Sequence, residues 1–71
     1  MSNRTFDVYE VTGNTNAKRI GRLFPTGWTK LATDDGTFRI ATEHRFPYSL
    51  RGTKYTKVGT IGFLDMVARQ A

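Results

Sequence analysis

There is no cysteine in this chain and a single histidine, His44. The first shortage rules out a disulfide framework. Together the two defeat a zinc site, which takes four ligands drawn mostly from these residue types. Long apolar runs are missing too. Nothing approaches the ~18 consecutive apolar residues of a membrane-spanning helix, and Met1-Ser2-Asn3-Arg4 leads straight into alternating residues instead of a signal-peptide core. The expectation is a protein with no membrane segment that stays in the cytoplasm, where a cysteine-free chain is at home. Its 71 residues make one domain, 1–71, expected to be a monomer. A domain of that size buries only about 60% of the surface its unfolded chain exposes. With no disulfide or metal as a staple, and no cofactor motif, the fold has to rest on five Phe, three Tyr, one Trp and the aliphatic residues.

Acidic residues are scarce as well: six Asp and Glu stand against eleven Lys and Arg, a net charge of +5. The excess is local. Residues 1–36 hold five cations and four acids, Arg39 and Glu43 cancel, and residues 60–71 hold Asp65 and Arg69. Residues 44–59 hold Arg45, Arg51, Lys54 and Lys57 and no acid. Such a segment has the charge pattern of a surface that meets a negatively charged partner.

β-Forming residues occur in short runs separated by turn residues. Residues 4–12 are rich in aromatic and β-branched side chains and predict a strand. Phe6 and Val8 share one face, Tyr9 and Val11 the other, so alternation does not say which turns inward. Gly13-Asn14-Thr15-Asn16 predicts a turn, and residues 18–24 a second strand that completes a hairpin. Phe24-Pro25-Thr26-Gly27 fits a type I turn. A third strand, 28–33, opens with Trp28, a residue expected to cap the core, with an exposed stacking platform as the alternative. Asp34-Asp35-Gly36 is a hairpin loop, and the strand after it, 37–42, puts Phe38 and Ile40 on one face. Pro47 and Gly52 break residues 43–52 into a loop, followed by a short extended piece at 55–58.

Residues 60–70 predict a helix with Thr60 as its N-cap. On the helical wheel Ile61, Phe63, Leu64, Val67 and Ala68 share an arc of about 160°, which predicts the face laid on the sheet. Asp65 and Arg69 fall opposite as an i,i+4 pair. The fold class expected is α+β, mostly β: a small antiparallel β-meander of four or five short strands with one C-terminal helix packed on it.

Catalytic constellations are poorly supplied. Ser49 lies five residues after His44, but no nucleophile elbow surrounds it and no third group is placed to orient the histidine. Asp34 and Asp35 are accounted for by their turn. Gly59-Thr60-Ile61-Gly62 has the GXXG spacing of KH domains, yet it follows a strand instead of joining two helices. Thr53 stands where an RNA-recognition motif needs an aromatic after Arg51-Gly52. The chain reads as a binding protein, not an enzyme.

The segment at 44–57 interleaves Arg45, Arg51, Lys54 and Lys57 with Phe46, Tyr48 and Tyr55 and with the hydroxyls of Ser49, Thr53 and Thr56. That mix can neutralise phosphates and stack on bases, at roughly 1–3 kcal/mol per stacked base. It can equally dock on an acidic protein surface, where Tyr and Arg are typical hot spots. It can also be a solvated loop whose Phe46 and Tyr48 plug the edge of the core. Arg4 and the first strand are candidates to join the same surface.

With its strand-forming start Phe6-Asp7-Val8-Tyr9-Glu10-Val11, basic turn-rich middle and short terminal helix, the chain resembles the very small, basic, cysteine-free proteins with which lytic bacteriophages redirect host machinery. It is nearest to the RNA-polymerase-binding transcription regulators of lytic Xanthomonas phages. The resemblance is one of whole-chain size and character and transfers no functional residue. It implies a partner in RNA polymerase or another nucleic-acid-associated protein in the host cytoplasm, interference with promoter use and altered termination. Direct DNA or RNA binding by the basic segment, and a structural or assembly role in a phage-like particle, are the two other functions the residues allow.

Overall fold

The computed structural model describes residues 4–14, 16–45 and 52–71. Its central strand, β1 (Thr5–Gly13), pairs on one side with β3 (Phe38–Thr42) and on the other with β4 (Thr53–Gly62); β2 (Trp28–Leu31) pairs with the far side of β3. The resulting antiparallel sheet has the order β2-β3-β1-β4. The expected α+β architecture, mostly strand with a C-terminal helix, is the one observed.

Residues 18–24 are not a strand. They form helix α1 (Ala17–Leu23). Asn16 is its N-cap, with Oδ1 accepting from the Arg19 amide at 2.9 Å. Ile20, Leu23 and Phe24 then fall at i, i+3 and i+4 on the buried side. Phe24, the residue before Pro25, leaves helical geometry at φ −127°, ψ 97°, as steric conflict with a following proline ring requires. The helix carries the chain back across one face of the sheet. β2 therefore runs in the direction of β1 with β3 inserted between them, a split β-α-β arrangement instead of consecutive hairpins.

The two-faced apolar pattern of β1 has a simple explanation: both faces are covered. Val11 and Ile40 meet Ile20 of α1 on one face, with Tyr9, Leu23, Phe24, Trp28, Phe38 and Tyr55 packed around them. Trp28 thus takes the core-capping role. On the other face Phe6, Leu31, Ala41 and Ile61 meet Met66, with Val8 against them. Thr42, the one buried polar side chain among the described residues, donates to the Gly27 carbonyl and accepts from the His44 amide.

The C-terminal helix also departs from its expected bounds and rotation. Thr60 belongs to β4, which runs on to Gly62, and helix α2 (Phe63–Ala68) starts there with Gly62 at the N-cap. Its rotation is fixed from both ends. The Phe63 amide donates to the Arg4 carbonyl, while beyond the helix Ala32 N–H donates to Arg69 O and Ala71 N–H to Lys30 O. So anchored, α2 turns Met66 inward (7% exposed) and leaves Leu64 82% exposed, with Phe63 and Val67 about half exposed. Of the apolar arc that predicted the buried face, Ile61 is buried as part of β4, and Phe63, Leu64 and Val67 of α2 face outward. Met66→Ala is therefore expected to cost about 2–5 kcal/mol and Leu64→Ala less than about 0.5 in denaturant unfolding. The reverse ranking would mean that α2 packs by its other face.

Candidate cationic binding surface

Strand register fixes which side chains share a face. Tyr9, Ile40 and Lys57 are cross-strand partners, as are Val11, Phe38 and Tyr55, and this is the face that α1 covers. Lys30 lies on it too, its ammonium 5.6 Å from the Phe38 ring centroid. On α1 itself Ile20 is buried, which turns Lys18 and Arg22, an i,i+4 pair, to solvent. Arg19 lies on the flank, its Nη1 donating to the Asn14 carbonyl at 2.7 Å. Among the described residues the α1 face thus collects Lys18, Arg19, Arg22, Lys30 and Lys57 against one acid, Asp7, whose carboxylate pairs with Lys57 at 3.2 Å.

The opposite face is balanced. Glu10 pairs with Arg39 at 3.7 Å. Beside them a cleft of about 550 Å³ opens between β4, α2 and the β2–β3 loop, rimmed by Asp34, Asp35, Asp65, Arg39 and Arg69. The Asp35 carboxylate accepts from both the hydroxyl and the amide of Thr37, and those hydrogen bonds hold its pKa below the usual 3.8.

The described residues among those singled out in the sequence do not all gather on one surface. Lys54 pairs with Thr12, while the Arg4 carbonyl is held at the other end of β1; eight residues of extended chain separate the two levels, about 27 Å. Lys54 and Lys57, three apart on β4, point to opposite faces. Arg4 lies 5.5 Å from the Phe6 ring centroid and pairs with Glu43 at 2.6 Å. That ion pair is exposed and worth at most about 1 kcal/mol, so Arg4 can exchange Glu43 for a partner's acid at little cost. Arg45 is exposed just past β3. Phe46, Tyr48 and Arg51 lie outside the described residues. His44 stacks on Phe24 with ring centroids 4.8 Å apart, and its Nε2 lies 2.9 Å from the Thr26 carbonyl, pinning the turn between α1 and β2.

Tyr55 belongs to the core cluster. Burial pushes its hydroxyl above the ordinary 10.0, with Arg19 pulling the other way. An unfolded tyrosine ionises first, so this stabilisation is full below pH ~10 and is lost as pH rises through the folded value. An ultraviolet phenolate titration is expected to show one tyrosine ionising late, together with alkaline unfolding. A titration with no late-ionising tyrosine would contradict the packing.

The cations of α1 went unnoticed in the sequence because a strand reading scatters them over two faces. The signal that finds them is Asn16 as an N-cap followed by the 20, 23, 24 apolar spacing. No protein-family model matches the chain, and no curated protein or solved structure is significantly similar to it.

Proposed function

We propose that the protein is a small non-enzymatic regulator that binds the transcription machinery, RNA polymerase, and alters host transcription. The partner is supported by the chain's likeness in size and character to polymerase-binding phage regulators. The surface is supported by one observation: α1 and its sheet face carry five cations against one acid. Such an asymmetry steers association with an acidic surface and sets the docking register. Lys18 and Arg22 present the charge outward on a rigid element, so little ordering has to accompany binding.

The test is a pull-down of tagged protein from bacterial lysate, with and without nuclease, beside a Lys18→Glu/Arg22→Glu variant checked for folding by circular dichroism. Polymerase subunits are expected to survive nuclease with the parent protein and to disappear with the folded variant. Retention by the variant would move the site elsewhere.

The same cation geometry supports a second reading, direct nucleic-acid binding, and nuclease-sensitive capture would favour it. Three phosphate contacts, from Lys18, Arg19 and Arg22, give a slope of log K against log salt of about −2.7 on duplex DNA, and removing one cation brings it to about −1.8. A slope near zero would remove this reading.

A further inference from the structure

The two edges of the sheet are treated differently. At the β2 edge the chain's own residues 69–71 add a short antiparallel run, through Ala32 N–H to Arg69 O at 2.7 Å and Ala71 N–H to Lys30 O at 3.0 Å, with Gln70 opposite Leu31. At the other edge β4 extends for ten residues, and among the described residues no strand pairs with its outer side. Most of its residues are exposed. An unpaired edge of that length is a template for another strand, and proteins blunt such edges with lysines and bulges. β4 has both. Lys54 and Lys57 are its only charged residues, and Val58 is the extra residue of a bulge, since Gly59 pairs with Val8 while Lys57 pairs with Tyr9.

These devices discriminate between occupants. A second copy would bring an equally basic edge against this one, in a molecule of net charge +5. A strand carrying carboxylates meets the lysines favourably. Past Gly62 the surface continues into the exposed apolar side chains of Phe63 and Leu64. We infer that the outer edge of β4 is a strand-addition site for an extended segment of a partner protein that carries acidic side chains interleaved with apolar ones. Main-chain hydrogen bonds supply the attachment, and the Lys54 ammonium selects the carboxylate face of the partner by charge, while Lys57, on the opposite face, is held by Asp7. The selecting lysine, Lys54, lies on the face away from α1, so this site does not depend on the α1 surface or on the identity of the polymerase as partner.

The experiment uses the full-length, isotope-labelled protein and two synthetic ten-residue peptides, acetylated and amidated, one alternating Glu with Val and one alternating Lys with Val. At ~1 mM Glu/Val peptide, a level that detects even a weak site, the amide resonances of Thr53–Gly62 are expected to shift saturably. Their hydrogen exchange is expected to slow at least tenfold, with the Lys/Val peptide inert. Lys54→Glu, an exposed change that leaves the fold intact, is expected to weaken the acidic peptide at least threefold. Unchanged β4 amides, or equal response to both peptides, would overturn the proposal. So would protection of the free protein's β4 edge that grows with its own concentration, which would assign the edge to a second copy. Displacement of the peptide by a single-stranded oligonucleotide acting on the same amides would overturn it in favour of nucleic acid.

Discussion

Replacing Ile40 with alanine is expected to remove about 2–5 kcal/mol of stability. A chain of 71 residues at about 0.05–0.15 kcal/mol per residue has only roughly 4–11 kcal/mol in all. Ile40 is 0% exposed, at the middle of β3, between Tyr9 of β1 and Lys30 of β2. It packs directly with Val11 and with Ile20, the residue by which α1 is held to the sheet. Shortening it removes three carbon atoms and leaves a cavity under the helix, which neighbours as large as Trp28 and Tyr55 cannot fill without leaving their rotamers. The measurement is urea unfolding followed by Trp28 fluorescence, since Trp28 belongs to the same cluster. At a slope near 1 kcal/mol per molar urea the midpoint falls by 2 M or more. A shift below about 0.5 M would show that α1 is not held by this cluster.

The second large effect is at Gly13. Its φ of +95° is open to glycine and strained for any residue with a Cβ, and a Cβ built there runs into the Gly52 carbonyl oxygen. The strain alone costs about 1–3 kcal/mol, and backbone on both sides must then move to relieve the collision. What would be disturbed is a clasp. The Asn14 amide donates to Gly52 O at 2.6 Å, and the Asn14 carbonyl accepts from both Arg19 and Thr53. Gly13→Ala is therefore expected to lower Tm by at least about 5 °C, taking 4–8 °C per kcal/mol for a domain of this size. It should also disturb the placement of Arg19, so that binding through the α1 face weakens with it. Gly59→Ala is the control: a Cβ there meets nothing, and a change within about 0.5 kcal/mol is expected. Equal melting of the two variants would mean that the clasp contributes no stability.

Local chemistry made much of the sheet legible. The β2–β3 hairpin around Asp34-Asp35-Gly36, the strand at Phe38–Thr42 and the long β1 follow from alternation and turn residues. The two differences have different causes. In residues 18–24, alternation and helical spacing both fit a few apolar residues, and the N-cap at Asn16 was the arbiter. In α2 the periodicity was correct and the inference from it was not. An amphipathic arc says which side is apolar, and here pairing of residues 69–71 with β2 sets which side faces the sheet. For the candidate surface, counting charge by segment located the excess at 44–59. Folding sorts charge by face instead: Lys18, Arg19 and Arg22 stay with α1, while Glu10, Asp34 and Asp35, which balance them along the chain, go to the other side.

The position of β1 governs how the molecule is made. Of the four strands it is synthesised before the other three and is the last to have both neighbours, because Val8 waits for Ala41 on one side and Phe6 for Ile61 on the other. At about 5–20 residues per second the ribosome needs on the order of 3–12 s to reach Ile61. Until β3 is made Phe6, Val8, Tyr9 and Val11 lie on an unpaired strand, and until Ile61 is made one edge of that strand stays open, a target for chaperones and for premature association. Folding through such distant pairings is also slow compared with helical proteins of this size. Yield on expression should therefore respond to temperature and chaperone supply more steeply than the stability of the finished protein does.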